Sequence, residues 1–102
     1  MTLSSKQRAQ LRGIANSVDT IVHVGKGGVT ETVVQQVNEA LIPREIIKGK
    51  VLENAPVTPR EVCDALAAAT QSLPVQVIGS KFVLYRPNMQ LDKDKRIRLV
   101  KD

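Results

Sequence analysis

Residues 20–52 constrain the fold most strongly, because a strand-like segment, a glycine-rich loop, a helical segment and a second strand-like segment follow one another there. Thr20–Val24 is short, β-branched and bounded by glycine, which predicts a strand. Thr30 is a good N-cap for a helix that Pro43 should help to terminate, and residues 45–52 are predicted to form the next strand. A strand–helix–strand crossover of this kind is right-handed and lays its two strands parallel when they share a sheet.

Strong helix signals flank this unit on both sides. Ser4 and Gln7 form a capping-box pattern and predict a first helix over residues 5–17. The sequence Thr-Pro-Arg-Glu at residues 58–61 supplies an N-cap, a proline at the first helical position and a capping glutamate for a third helix. The buried stripe of that helix is expected to extend to Leu73.

Pro74 is expected to close the third helix, after which two short strands follow. Residues 75–78 and 82–86 are joined by Gly79 and Ser80, where glycine in the first position suits a type II′ hairpin. The element order is α-β-α-β-α-β-β, with the first three strands parallel and the fourth antiparallel at the end of the sheet. The sequence therefore predicts a compact α/β sandwich with a four-stranded mixed sheet.

The length of 102 residues allows one domain with a single core. We place that domain at residues 1–91. Residues 92–102 carry five bases and three acids and are interpreted as a basic C-terminal tail, which is either frayed or a short extra strand.

The charge balance favours a polyanionic partner, with nucleic acid first. The chain has 15 Lys and Arg against 10 Asp and Glu, a formal net charge of +5. No segment approaches the ~20 apolar residues that a spanning helix needs, and no secretory signal is visible, so we expect a cytoplasmic protein without a membrane partner. A single cysteine, Cys63, excludes an internal disulfide.

A glycine-framed lysine stands where the first strand meets the second helix. In the Gly25-Lys26-Gly27-Gly28 loop, Gly25 and Gly28 are expected to adopt backbone angles denied to other residues and to leave no side chain between the main chain and a phosphate, and Lys26 adds a mobile positive charge. A helix start leaves backbone N–H groups unpaired and carries a partial positive charge, so the loop is a candidate phosphate site. The alternative is a plain tight turn.

Three bases are expected on one face of the second strand. Alternation places Arg44, Lys48 and Lys50 on the same side, where they would follow a phosphate backbone. The alternative is a solvated strand face. With only Phe82 and Tyr85 as aromatic residues, the chain has too few for a base-stacking platform, although Tyr85 is either half-buried in a terminal strand or a single stacking residue.

Catalysis finds little support in the sequence. The Gly-Lys pair of the loop is not a P-loop, because Gly-x-x-x-x-Gly-Lys-Ser/Thr is absent. One histidine, His23, and one cysteine, Cys63, cannot by themselves form a zinc site. We expect no enzyme activity, no cofactor, no metal and no small-molecule substrate.

Several separated motifs resemble the CRM domain (chloroplast RNA splicing and ribosome maturation), whose stand-alone bacterial members are the YhbY-type proteins. The resemblance covers about residues 3–88 and rests on five segments: Lys6-Gln7-Arg8 with Leu11-Arg12, Val24-Gly25-Lys26-Gly27-Gly28 with Thr30-Glu31, Arg44-Glu45-Ile46-Ile47-Lys48, Val75-Gln76-Val77-Ile78-Gly79, and Leu84-Tyr85-Arg86.

The resemblance implies a fold similar to the C-terminal domain of bacterial translation initiation factor three. It also implies RNA binding, association with precursor large ribosomal subunits, and site residues that include Arg12 and Arg86. Pro43 and Gly49 depart from the family pattern, and Gly49 inside the second strand predicts an irregular strand there.

These observations favour a monomeric, non-catalytic RNA-binding protein that contacts large-subunit ribosomal RNA in pre-ribosomal particles and acts in ribosome assembly. The alternative is a protein-interaction adaptor that docks on a ribosomal protein or an assembly factor and uses its bases for steering. Double-stranded DNA binding ranks below both, because no helix with a clustered basic face is evident.

Overall fold

The computed structural model describes residues 2–101, which form three α-helices, four strands and one short 3-10 turn. No helix within that range is both long enough and apolar enough to cross a lipid bilayer. The elements are α1 (Ser5–Ala15), β1 (Thr20–Val24), α2 (Glu31–Arg44), β2 (Ile46–Val51), α3 (Pro59–Thr70), β3 (Leu73–Ile78), β4 (Lys81–Tyr85) and the 3-10 turn (Lys93–Lys95).

The four strands form one mixed sheet in the order β1-β2-β4-β3. β1 and β2 are parallel, and β4 is antiparallel to both of its neighbours, as predicted. The expected place of β4 at the end of the sheet is wrong, because β4 lies inside and β3 forms the edge. Residues 82–85 are all buried, which requires cover on both faces, whereas Pro74 lacks an N–H and is therefore suited to an edge strand.

Helices cover both faces of the sheet and create two cores. α1 packs with Leu11 and Ala15 on one face, where the second core also takes Ile46, Val83 and Tyr85. α2 and α3 cover the other face. The first core there contains thirteen buried residues: Val22, Val24, Val37, Ala40, Leu41, Ile47, Val51, Val62, Cys63, Leu66, Ala67, Phe82 and Leu84. The predicted α/β sandwich is confirmed.

The predicted helix starts are correct, but the predicted helix ends are not, and α1 ends at Ala15 rather than at residue 17. Ser4 and Thr58 both form the capping boxes expected for α1 and α3. α3 ends at Thr70, since Gln71 takes a left-handed conformation with φ 55°. Leu73 therefore begins β3 rather than extending the helix, and Pro74 lies in that strand instead of closing the helix.

α2 runs past Pro43 and ends only at Arg44. The helix is stopped by Glu45, whose φ of 61° is left-handed and whose N–H donates to the Leu41 carbonyl at 2.8 Å. Arg44 is thus helical, and the expectation that it shares a strand face with the lysines of β2 is wrong. The C-cap residue ends the helix, not the proline.

Glu45 also fixes the C-terminal segment, which we define as residues 87–100. Its buried carboxylate accepts hydrogen bonds from the backbone N–H groups of Asn88 at 2.6 Å and Ile97 at 2.5 Å. Ile97 and Leu99 pack against the second core. The segment is therefore docked on the domain, and it forms neither of the expected structures, a frayed tail or an extra strand.

Gly49 does not make β2 irregular, contrary to expectation. β2 pairs with β4 without a register shift, and Gly49 lies opposite Phe82. A Cβ atom at Gly49 would overlap the Phe82 ring, so glycine provides the space that the ring fills. The register shifts occur instead in β1 after Thr20 and in β3 after Pro74.

Candidate nucleic-acid interface

The glycine loop, residues 25–28, is a tight turn at the end of β1. The N–H of Gly28 donates to the carbonyl of Gly25 at 2.9 Å, and Gly28 has a φ of +69° that favours glycine. Gly25 does not share this conformation, so that part of the expectation is wrong. A Cβ atom added at Gly25 would lie 3.4 Å from Leu52 Cδ1, which is an ordinary van der Waals contact.

The loop leads directly into α2 and leaves donors unused. Thr30 caps the helix by accepting a hydrogen bond from the N–H of Val33 at 3.2 Å. The N–H groups of Lys26 and Gly27 donate to no other group in the described part of the chain, and both residues are exposed. Two backbone donors and one ammonium group therefore face solvent at a helix start, where an anion is favoured.

A row of cationic and titratable side chains crosses the sheet beside this loop. Lys50 pairs with His23 on β1 and with Lys81 on β4, so the three residues lie on neighbouring strands. All three are exposed. We call His23, Lys50 and Lys81 the basic row, and we call the end of the sheet that carries it, where β1 and β2 finish, the loop end.

The basic row lies on the face of the sheet that α1 covers at a distance from the loop end. Side chains alternate between faces, so Lys50 and Lys48 share the side of Ile46, and Lys81 shares that of Val83. Ile46 and Val83 are buried beneath α1, whereas Lys50 and Lys81 are exposed. α1 therefore leaves the loop end of this face open, and half-buried Lys48 stands at the boundary.

Adjacent lysines on paired strands are electrostatically unfavourable. Lys50 and Lys81 are directly opposite one another, and like charges in such a pair destabilise a sheet. Neither forms a salt bridge, since Arg60–Asp64 is the one ion pair within residues 2–101. The repulsion is unrelieved by the protein itself, which is typical of a surface that binds an anion.

Arg12 lies in the last turn of α1 and is exposed. It belongs to the helix on the same side of the sheet as Lys48 and Lys50. Lys50 lies near the glycine loop, since it pairs with His23 two residues before Gly25, whereas Lys48 lies opposite Thr20 at the start of β1.

Arg44 and Arg86 lie at the opposite end of the sheet, which we call the far end. Arg44 hydrogen-bonds to the Ala40 carbonyl of its own helix at 3.3 Å. Arg86 donates to the side-chain and backbone oxygens of Asn38 at 2.5 and 2.9 Å and to the Thr70 carbonyl at 2.8 Å. These contacts join α2, α3 and the end of β4, so the Arg86 guanidinium has a structural role.

The sequence analysis did not identify two residues of the basic row, His23 and Lys81, as site residues. His23 is considered there only as a residue that cannot form a zinc site with Cys63, and Lys81 falls outside the predicted fourth strand. The two-residue hairpin at Gly79 could have placed Lys81 in the fourth strand, because such a turn pairs Lys81 with Ile78. The strand order was also required, since only the insertion of β4 beside β2 brings Lys81 to Lys50.

The remaining chemistry-bearing residues are buried. Tyr85 is 2% exposed, so its ring does not present a face for base stacking. Cys63 is fully buried, and this burial, with a smaller contribution from Asp64, raises the pKa of its thiol to about 11. A thiol with that pKa stays protonated and is a poor nucleophile.

The chain is similar to known proteins over most of its length. The CRS1/YhbY (CRM) domain model matches residues 3–86. The chain is similar to the "Probable RNA-binding protein YqeI" of Bacillus subtilis, with 39% identity over 97 residues that cover 95% of this chain and 98% of the relative. It is also similar to an RNA-binding protein of Haemophilus influenzae, with 38% identity over 85% of this chain and 88% of the relative.

A solved structure has the same fold. The solution structure of protein SAV1595 from Staphylococcus aureus matches with a TM-score of 0.78 and 39% sequence identity, over 97% of this chain and all of that chain. The match extends beyond the family-model boundary at residue 86.

Proposed function

The chain belongs to the CRS1/YhbY (CRM) domain family, and on that premise we propose that it binds RNA through the loop end of its sheet. The observation that carries this proposal is the basic row with the glycine loop beside it. The similar proteins from Bacillus subtilis and Haemophilus influenzae are named as RNA-binding proteins, which supports RNA as the polyanion.

The mechanism is recognition of the phosphate backbone. The free N–H groups of Lys26 and Gly27 and the ammonium group of Lys26 hold one phosphate, since Gly25, Gly27 and Gly28 place no side chain in its way. The basic row then contacts further phosphates. Neighbouring strands are ~4.8 Å apart, so a row across three strands spans roughly 10 Å of the RNA.

The site comprises the glycine loop, Lys48 and the basic row, with Arg12 at its margin. Arg44 and Arg86 are outside it, because their guanidinium groups are hydrogen-bonded at the far end. The protein binds by backbone and shape and performs no catalysis.

The RNA is large-subunit ribosomal RNA in a pre-ribosomal particle, and the protein acts there as a monomeric assembly factor in the cytoplasm. The ribosomal assignment comes from the family resemblance. Structured ribosomal RNA is also a suitable ligand for a face with several cations and no exposed aromatic side chain.

Binding of a large-subunit ribosomal RNA fragment across a salt series tests the proposal. The loop variant is Lys26→Asp/Gly27→Asp, which changes the charge by three units. The matched control is Lys6→Asp/Ala9→Asp, which makes the same change at two exposed positions of α1 away from the loop. Circular dichroism and thermal unfolding confirm that both variants are folded.

We expect the loop variant to lose most of its affinity and the logarithmic salt slope to fall by roughly 0.7–0.9 per lost phosphate contact. The control should retain most of both. Equal binding by the wild type and the loop variant would leave the loop as a plain turn. Association with pre-ribosomal particles that survives nuclease treatment would favour the protein-adaptor alternative.

A further inference from the structure

A groove of about 520 Å³ lies at the far end of the sheet, between the C-terminal segment and the end of β4. Tyr85, Ile97 and Leu99 form apolar parts of its wall. Grooves that hold small ligands or single groups of larger ones have volumes of roughly 300–1,000 Å³, with mostly apolar walls and a few polar groups. Nothing in the RNA site at the loop end uses this groove.

The rim of the groove is cationic. Lys93, Arg96 and Arg98 line it, and none of them takes part in the one salt bridge found within residues 2–101. Arg96 reaches only the Met89 sulfur, at 3.2 Å. The carboxylate of Glu45 also lines the groove but already accepts two backbone hydrogen bonds, so the net charge available to a ligand is positive.

The hydroxyl of Tyr85 supplies a polar group inside the groove. Tyr85 lines the groove and is 2% exposed, and its hydroxyl makes no hydrogen bond within residues 2–101. Every fully buried side-chain oxygen and nitrogen in that range has a partner, so this hydroxyl keeps some contact with solvent. Burial, and to a smaller extent the charge of Glu45, raises the pKa of Tyr85, so the hydroxyl keeps its proton and remains a donor.

From the cationic rim, the apolar wall and the unpartnered hydroxyl, we infer that the groove binds one unstacked nucleotide of the bound RNA. Its phosphate contacts Arg96 and Arg98. Its base lies against Met89 and Ile97, with a polar edge hydrogen-bonded to the Tyr85 hydroxyl. This inference rests on the proposed function and adds a second contact to it.

The distance between the two sites suits a single RNA ligand. Lys81 and Tyr85 are the first and last residues of β4. At ~3.3 Å per residue they are roughly 13 Å apart, which a few nucleotides can span. Because α1 covers Val83 between these two positions, a strand held by its phosphates at the loop end reaches the groove by passing around α1.

Titration of the ¹⁵N-labelled protein tests the inference, with backbone amide signals reporting both sites separately. The probes are single-stranded octamers of adenylate and of uridylate, and the corresponding mononucleotides AMP and UMP. Tyr85→Phe removes only the hydroxyl and preserves the ring in the core. Arg96→Gln removes one rim charge, and Arg60→Gln removes one charge from an exposed position on α3, behind the sheet.

We expect the octamers to shift the amide signals of the glycine loop and also those of Ile97 and Leu99. Tyr85→Phe should weaken octamer binding by roughly two- to tenfold, the effect of one hydrogen bond. Arg96→Gln should weaken it by about three- to tenfold, and Arg60→Gln by less than about twofold. The mononucleotides should bind at the groove more weakly than the octamers.

Two results would overturn the inference and leave the RNA proposal intact. In one, the octamers shift the loop signals alone, and Tyr85→Phe and Arg96→Gln bind like the wild type. In the other, a mononucleotide binds the groove as tightly as an octamer, which would make the ligand a free nucleotide. If neither the octamers nor the large-subunit ribosomal RNA fragment shifts any signal at either site, the proposed function itself fails.

Discussion

The two ends of the sheet both carry basic residues, but they use them differently. At the loop end, Lys50 and Lys81 are paired with one another across two strands, and neither forms a salt bridge with any residue in the range 2–101. At the far end, the Arg86 guanidinium donates hydrogen bonds to three oxygens of Asn38 and Thr70. The comparison teaches that hydrogen-bond partners, rather than the charge itself, distinguish a cation that binds a ligand from one that holds the fold.

The largest effect should come from removing the carboxylate that organises the far end. Glu45→Ala leaves the N–H groups of Asn88 and Ile97 without their acceptor and releases the C-terminal segment. We expect the free energy of unfolding in urea to fall by about 3 kcal/mol, because each buried donor left unpaired costs about 1–3 kcal/mol. Glu39→Ala, at an exposed position of the same helix, is the control and should change stability by less than about 0.5 kcal/mol.

The comparison between the two ends is tested most directly by a pair of single-charge removals. Arg86→Gln should destabilise the protein by about 2 kcal/mol, because it leaves the Thr70 carbonyl without its charged donor. Lys50→Gln should leave stability within about 0.5 kcal/mol of the wild type. RNA affinity should show the reverse order, with Lys50→Gln several-fold weaker and folded Arg86→Gln unchanged. If the two variants changed stability equally and RNA affinity equally, the distinction between a structural and a ligand-binding cation would be wrong.

Alkaline pH tests the first core, which contains Cys63, independently of either end of the sheet. Below pH 9, Cys63 is protonated in both the folded and the unfolded protein. Between pH 9 and about 11, the thiol loses its proton only in the unfolded protein. This deprotonation stabilises the unfolded state, so the free energy of unfolding falls. The loss should be about 2 kcal/mol at most by pH 11, at ~1.4 kcal/mol per unit of pKa. Cys63→Ala should lack this part of the decline in urea unfolding measured from pH 8 to pH 11. Identical slopes for the two proteins would contradict the prediction.

The smallest effect is a gain. Lys81→Gln removes the repulsion with Lys50, and we expect it to raise the free energy of unfolding by about 0.3 kcal/mol while lowering RNA affinity. Lys6→Gln on α1, where no opposing lysine is paired across a strand, should leave stability unchanged. A loss of stability in Lys81→Gln would mean that the basic row is not repulsive.

The sequence predicted what depends on local signals. The capping boxes at Ser4 and Thr58 located two helix starts, and the β-branched segment ending at Gly25 located β1 correctly. The glycine loop was found for the same reason, since a turn between a strand and a capped helix is encoded by adjacent residues. Its role in RNA binding remains a prediction.

The sequence did not predict what depends on tertiary pairing. The assignment of Arg44 to a strand failed because the end of α2 is set by Glu45, whose carboxylate is fixed by residues more than forty positions away. The basic row required the strand order, which places Lys81 beside Lys50 although 31 positions separate them. Gly49 appeared to weaken a strand because its partner, the Phe82 ring, is 33 positions away in sequence.

The unrelieved lysine pair of the basic row gives salt two opposite effects on this protein. Dissolved ions screen the repulsion between Lys50 and Lys81, so the free protein becomes more stable as ionic strength rises. The same ions compete for the phosphates of the RNA, so the complex becomes weaker over the same range. The repulsion between Lys50 and Lys81 is therefore strongest when no RNA is bound, and the phosphates of a bound RNA reduce it by acting as counterions.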